Sequence, residues 1–100
     1  MIKGFQIRLP SPSGYDATFW SIQGKILIDY DRQILKLTLN GFKDEQAFDN
    51  SKVHVDQKTL SYTGEKFPYE ADQAHVILQM AYILIKTEEA EFQDANLVEI

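Results

Sequence analysis

Apolar and polar residues alternate along the first third of the chain, as they do in half-buried β-strands. Phe5-Gln6-Ile7-Arg8-Leu9 follows a period of two, and the residues from Pro10 to Gly14 end this segment. The longer stretch from Thr18 to Tyr30 is rich in aromatic and β-branched residues, which favour strands. The pattern therefore predicts two strands, with Gly24 marking a bulge or bend in the second.

A hairpin is predicted where the second strand ends. Asp31-Arg32-Gln33 separates that strand from a segment in which Leu35, Leu37 and Leu39 again alternate with polar residues. We expect Asn40-Gly41 to end this second arm, because both residues tolerate positive φ angles.

The following twenty residues carry a weaker pattern. Residues 43–52 are mostly polar, and we expect a loop that Phe48 pins to the core. Apolar residues then stand at odd positions up to Val55 and at even positions from Leu60, so an unbroken strand would point them to both faces of a sheet. A bulge or short turn near residues 56–58 would resolve this conflict.

Residues 71–86 show the one clear helical pattern in the sequence. Acidic residues near its start and Lys86 at its end suit the helix dipole. The apolar residues recur at the spacing of a buried helix face and are Ala74, Ile77, Leu78, Ala81, Leu84 and Ile85.

The other residues of this helix form a narrow polar stripe and a second apolar flank. A helix packed on one sheet shows a wider polar arc, so the flank must be covered either by the protein's own loops or by another subunit. The stripe consists of Asp72, His75, Gln79, Tyr82 and Lys86. We expect association through the flank and nearby aromatic residues, a candidate interface made of Val76, Met80, Ile83, Tyr15 and Trp20.

Together these elements predict a single α+β domain over residues 1–100. We expect an antiparallel β-meander of about four strands with one C-terminal helix packed across one face. Residues 97–100 are either a short strand or a frayed end. The predicted core consists of Ile26, Ile28, Leu35, Leu37, Phe42, Leu60, Ala74, Leu78 and Ala81.

Composition narrows the classes of function. The formal net charge is −5, and all of it arises after residue 50, because that half of the sequence contains four basic and nine acidic residues. An acidic chain without a basic stripe opposes binding to nucleic acid. The absence of cysteine excludes a disulfide framework and thiol catalysis. We expect no signal peptide, because charged residues interrupt the apolar residues of the N-terminal segment. We also expect no membrane insertion, because the longest apolar run, Met80 to Ile85, is far shorter than the roughly 20 residues that span a bilayer.

No constellation of residues predicts catalysis. His54 and Asp56 would share a strand face and join Asp72 and His75 of the helix in a metal site, but ordinary surface histidines are the simpler interpretation. The serines lack a nucleophile elbow, and the glycines never cluster into a phosphate-binding loop. We therefore expect a protein that is not an enzyme and that uses no metal or other cofactor.

The C-terminal half shows a resemblance to a known class of proteins. It contains Phe67-Pro68-Tyr69, then a helix with Ala81-Tyr82 and Lys86, then Glu91-Phe92 and Ala95. This order resembles small proteins of phage and prophage tail modules, which carry F-P-[FY], a helix with A-Y-x-x-[LI]-K, and a closing E-F-x-x-A. The aromatic-rich segment 14–20 is similar to the opening of those proteins.

The resemblance implies a non-catalytic structural component of a tail or baseplate, within the adsorption apparatus, that acts by protein–protein association. It implies a homo-oligomer or other tail proteins as partners, and a location in the virion tail after synthesis in the host cytoplasm. Two alternatives stay open. One is a carbohydrate-binding module that uses exposed aromatic residues near the second strand. Core packing is the simpler interpretation of these aromatic residues, with Trp20 or Tyr15 as the expected exception. The group consists of Tyr15, Phe19, Trp20 and Tyr30. The other is a small acidic phage-encoded inhibitor that mimics nucleic acid with Glu88, Glu89, Glu91 and Asp94.

Overall fold

Five strands form one antiparallel sheet within the part of the chain that the structure describes. The computed structural model describes residues 2–12, 14–64 and 74–99, with the backbone alone for residues 25 and 74–77. The strands are β1 (Ile2–Leu9), β2 (Ala17–Asp29), β3 (Ile34–Phe42), β4 (Asp56–Thr63) and β5 (Asn96–Glu99). The helices are α1 (Glu45–Asp49), α2 (Ala74–Glu88) and a 3-10 turn at Ala90–Phe92.

The strand order is β4-β3-β2-β1-β5. The predicted α+β class and the meander from β1 to β4 are confirmed, but the count of about four strands is too low. β5 pairs with the other edge of β1, with Phe5 opposite Leu97. Of the two predictions for residues 97–100, the short strand is therefore right. Four residues carry too little pattern to predict a strand whose partner lies about ninety residues away.

The hairpin of β2 and β3 is confirmed, with residues 30–33 as its turn. Gly24 has a φ of 78° and lies where the pairing register shifts, as predicted for a bulge. β3 continues through Phe42, so the prediction that Asn40-Gly41 ends this arm is wrong. Gly41 lies in the strand for a packing reason, because a Cβ atom there would stand 2.7 Å from the ring of Trp20.

Asn40 is also held within the strand, by amide contacts across the sheet. Its Nδ2 donates to Oε1 of Gln23 at 3.0 Å, and its Oδ1 accepts from Nε2 of Gln57 at 2.9 Å. The three amides lie on β2, β3 and β4. An asparagine that is predicted to end a strand can therefore remain in it when neighbouring strands satisfy its side chain.

The predicted loop at residues 43–52 contains one helical turn, α1. Asp44 caps it, since its Oδ1 accepts from the backbone N–H of Ala47 at 2.7 Å. Phe48 contacts the rings of Phe19 and Phe42, with centroids 5.1 and 5.3 Å away. The expectation that Phe48 pins this segment to the core is confirmed, whereas the helix itself is too short to show a period.

The break between α1 and β4 comes earlier than predicted. Residues 52–55 are irregular, and β4 runs without a register shift from Asp56 to Thr63. The apolar residues thus change from odd to even positions in the irregular segment, before β4 begins. The predicted bulge near residues 56–58 is wrong for this reason.

Helix α2 crosses the sheet on the face opposite to α1. Near β1, the backbone N–H of Ile2 donates to Oε1 of Gln79 at 2.7 Å. Past the helix end, the Tyr62 hydroxyl on β4 donates to Oε1 of Glu89 at 3.1 Å. Ten helical residues advance about 15 Å, and three strand spacings amount to about 14 Å. The helix therefore has the length needed to run from β1 to β4.

The core lies between α2 and the sheet. Of the predicted core residues, Leu35, Leu37 and Ala81 are buried there, and the side chain of Ala74 lies outside the described residues. Phe42 is also buried, but on the opposite face of the sheet against Phe48. Four further predicted residues are half-buried and pack against the core, namely Ile26, Ile28, Leu60 and Leu78. An aromatic cluster fills the centre, because Phe92 packs 5.3 Å from Phe5 and 5.6 Å from Trp20 between ring centroids.

Candidate functional site

The polar stripe of α2 faces the sheet and the C-terminal segment. Gln79 accepts from β1, and Tyr82 reaches both β1 and β2. Nζ of Lys86 donates to the carbonyl oxygens of Gln93 at 2.6 Å and Ala95 at 2.9 Å. These residues therefore tether the helix to the rest of the domain. The side chains of Asp72 and His75, at the start of the stripe, lie outside the described residues.

The hydroxyl of Tyr82 has the most constrained position in this set. It donates to the carbonyl oxygen of Lys3 at 3.1 Å and accepts from the backbone N–H of Ile22 at 3.0 Å. Burial raises the pKa of Tyr82, while hydrogen bonding with the Ser21 side chain and the Ile22 backbone opposes that rise. Tyr82 therefore stays neutral and serves as a structural bridge.

The outer face of α2 carries the exposed part of the predicted flank. Ile83 is 54% exposed, and the adjacent Met80 and Leu84 are half-buried. Met80 and Ile83 are three residues apart and share one helix face. We call Met80, Ile83 and Leu84 the outer-face patch. The side chain of Val76, also predicted for this interface, lies outside the described residues.

The aromatic members of the predicted interface lie elsewhere. Trp20 is 0% exposed, because its ring fills the core beneath α2 and Nζ of Lys58 lies 5.5 Å above it. Trp20 is therefore a core residue and is not available for the surface contact predicted for it. Tyr15 is 68% exposed, but it stands beside Lys43 and Asp44, next to α1 and on another side of the molecule from α2.

The acidic residues that follow α2 do not form the single exposed stripe expected of a nucleic-acid mimic. Glu89 is half-buried and accepts from the Tyr62 hydroxyl. Glu91 pairs with Lys58 at 3.1 Å, while Glu88 and Asp94 are exposed. The residues after Glu88 leave the helical path, since Glu89 has extended backbone angles. At least two of the four carboxylates are thus engaged within the domain, which disfavours mimicry.

Burial also raises the pKa of Tyr62, and the negative charge of Glu89 adds to the effect. The Lys3 pKa is raised as well, chiefly by its hydrogen-bonded ion pair with Asp49 at 2.6 Å. All three shifts resolved among the described residues thus favour the protonated form. None of them brings a group toward titration near neutral pH, where acid–base catalysts operate.

Of the four residues considered for a metal site, the structure describes the side chains of His54 and Asp56, whereas those of Asp72 and His75 lie outside the described residues. His54 is exposed and lies 6.5 Å from the Phe42 ring between centroids. Oδ1 of Asp56 accepts from the backbone N–H of Gln57. Within the described ranges, no group of three or more His, Asp or Glu residues is placed to hold a metal ion. Among the described helices, none is long and apolar enough to cross a membrane.

Several of the residues that carry the resemblance to tail-module proteins are packing residues. Tyr82 and Lys86 tether α2, Phe92 lies in the aromatic cluster, and Ala95 is buried beside it. Phe67-Pro68-Tyr69 lies outside the described residues. In comparisons with known proteins, the chain matches no family model, no curated protein and no solved structure.

Proposed function

We propose that the protein is a non-catalytic structural component of a phage or prophage tail or baseplate, and that it acts by protein–protein association through the outer-face patch. The observation that carries the association is the orientation of α2. Its polar residues Gln79, Tyr82 and Lys86 are turned toward the domain, which leaves Ile83 directed at solvent. The tail assignment rests on the sequence resemblance.

An outward isoleucine beside two half-buried apolar residues is a small patch for a stable pairwise complex. In a closed symmetric assembly, however, every subunit repeats the same contact, so a modest patch per subunit suffices. This favours self-association in a ring or spike over a single weak contact. Tail and baseplate structures are built in this way.

The resolved pKa shifts support a structural role. Lys3, Tyr62 and Tyr82 are engaged in ion pairs or hydrogen bonds that hold elements of the fold together. Burial raises the pKa values of the two tyrosines and the ion pair with Asp49 raises that of Lys3, and all three groups are protonated at neutral pH even with ordinary pKa values.

Sedimentation velocity over a wide concentration range tests the association. We expect the wild type to form a defined oligomer and Ile83→Glu to be monomeric with an unchanged circular dichroism spectrum, because the charge would be buried in the contact. Leu27→Glu is the matched control, since Leu27 is 55% exposed and lies on β2 at the sheet face opposite α2. It should assemble as the wild type does.

A wild type that stays monomeric at all concentrations would contradict self-association, and equal behaviour of the two variants would contradict the patch. The tail assignment is tested separately, by mass spectrometry of purified particles from the phage or induced prophage that encodes the chain. We expect the protein in the particle at a fixed ratio to the other tail proteins. Its absence from intact particles would contradict the assignment.

A further inference from the structure

An open groove of about 350 Å³ lies between the β1–β2 loop and the start of α1. It is separate from the outer-face patch, because α1 and α2 pack on opposite faces of the sheet. The residues that line it come from three parts of the chain and are Arg8, Tyr15, Asp16, Thr18, Lys43 and Asp44.

Hydrogen bonds hold the two walls of the groove in place. The backbone N–H of Gly14 donates to the carbonyl oxygen of Ser11 at 3.1 Å, which closes a turn just before Tyr15. Oγ of Ser11 donates to the carbonyl oxygen of Val55 at 2.8 Å and fastens this turn to the segment that enters β4. On the other side, the Thr18 hydroxyl donates to the carbonyl oxygen of Lys43. The two walls are thus joined, so a ligand would meet a preorganised surface.

The aromatic ring of Tyr15 is exposed to solvent at this groove. Its side chain is 68% exposed, and no hydrogen bond or ring contact between described residues involves its ring or hydroxyl. Phe19 and Trp20, the aromatic side chains within β2, are fully buried, and the exposed Tyr30 lies beyond the opposite end of that strand. An exposed tyrosine presents an apolar ring and a polar tip to the same ligand.

The charges around Tyr15 are balanced. Arg8 lies 3.7 Å from Asp16, and Lys43 is followed by Asp44, so two cations and two anions line the groove. Long-range attraction for a phosphate or a metal ion therefore largely cancels. The same groups still supply hydrogen-bond donors and acceptors in close alternation, since guanidinium and ammonium groups donate and carboxylates accept.

We propose that this groove binds a neutral saccharide. Sugar hydroxyls both donate and accept, which fits the alternation of Arg8, Asp16, Lys43 and Asp44. The C–H face of a pyranose ring is apolar and fits the exposed ring of Tyr15. This inference is independent of the association through α2, because it uses none of the same residues.

Heteronuclear NMR titration of the isotopically labelled protein tests the proposal, with maltotriose, chitotriose and lactose as the probes at millimolar concentrations. We expect at least one of them to shift the backbone amide signals of Tyr15, Thr18 and Lys43. Tyr15→Phe should keep binding, whereas Tyr15→Ala should weaken it by about tenfold or more through the loss of the ring contact. Tyr30→Ala is the control, because Tyr30 is 55% exposed beyond the opposite end of β2.

The proposal is overturned if none of the three saccharides shifts these amide signals, or if Tyr30→Ala weakens binding as much as Tyr15→Ala does. A titration with inorganic phosphate completes the test. Shifts of the same amides by phosphate alone would show an anion site and would also overturn the proposal. Ile83→Glu should bind the saccharide like the wild type. A result against self-association through α2 can therefore be distinguished from a result against saccharide binding in the groove.

Discussion

The Tyr82 hydroxyl donates to the carbonyl oxygen of Lys3 at 3.1 Å, and through this contact helix α2 takes part in the hydrogen bonding of the sheet. The same carbonyl accepts from Oγ of Ser21 at 2.9 Å, and the backbone N–H of Ile22 donates to the Tyr82 hydroxyl. The register of β1 shifts between Ile2 and Gly4, so Lys3 lies at an irregularity. Side-chain hydroxyls thus satisfy backbone groups around this irregularity.

Tyr82→Phe tests how much these hydrogen bonds of Tyr82 contribute to the stability of the fold. The substitution keeps the ring but removes the acceptor of the Ile22 N–H and one donor to the Lys3 carbonyl. We expect a loss of about 1–3 kcal/mol in the free energy of unfolding, measured by urea denaturation, because a buried backbone donor is left unsatisfied. Tyr15→Phe removes a hydroxyl from an exposed ring and should change stability by less than about 0.5 kcal/mol. Equal effects of the two variants would contradict the bridge.

Stability should fall at high pH because of Tyr62. Its ordinary pKa is 10.0, and burial together with Glu89 raises it in the folded protein. Below that ordinary value the hydroxyl is protonated in both states, and its contribution is fully present. Above it the unfolded chain loses the proton while the folded protein keeps it, so stability is lost as pH rises toward the folded pKa.

The size of this loss can be measured by comparing the wild type with Tyr62→Phe in denaturant at pH values from about 8 to about 11. We expect the wild type to lose up to about 1 kcal/mol per pH unit more than the variant above the ordinary pKa, with solvent screening limiting the slope. Below the ordinary pKa, the stabilities of the two proteins should change with pH in parallel. Identical slopes over the whole range would show that Tyr62 ionises as freely in the folded state as in the unfolded one.

A matched pair of substitutions on α2 tests which face of the helix is buried. Ile85 is 0% exposed in the core, whereas Ile83 is 54% exposed two residues earlier. Ile85→Ala should lower the free energy of unfolding by about 2–5 kcal/mol through a cavity. Ile83→Ala removes the same atoms from a surface position and should cost clearly less in the dissociated protein. The reverse order in urea denaturation would mean that the helix is rotated relative to this structure.

The association surface was only partly predictable, and the reason lies in the polar stripe. Periodicity places Gln79, Tyr82 and Lys86 on one helix face, and a polar face is ordinarily assigned to solvent. Here that face meets backbone groups of distant segments, namely the N–H of Ile2 and the carbonyl of Ala95, and forms hydrogen bonds with them. Hydrogen bonding to such groups outweighs exposure, and no pattern within the helix reveals where they lie.

The local sequence pattern determined the β2–β3 hairpin, the bulge at Gly24 and the existence of α2, because each depends on neighbours close in the sequence. A lone aromatic residue in a polar segment indicated that Phe48 packs on the core, but its contact with Phe19 joins distant parts of the chain. Tertiary structure decided the pairing of β5 with β1, the burial of Trp20 and the groove beside Tyr15. Each of these joins segments far apart in the chain: Leu97 pairs with Phe5, and Phe92 packs on Trp20. The free energy of such contacts depends on which distant groups meet, and a pattern along one segment contains no information about that partner.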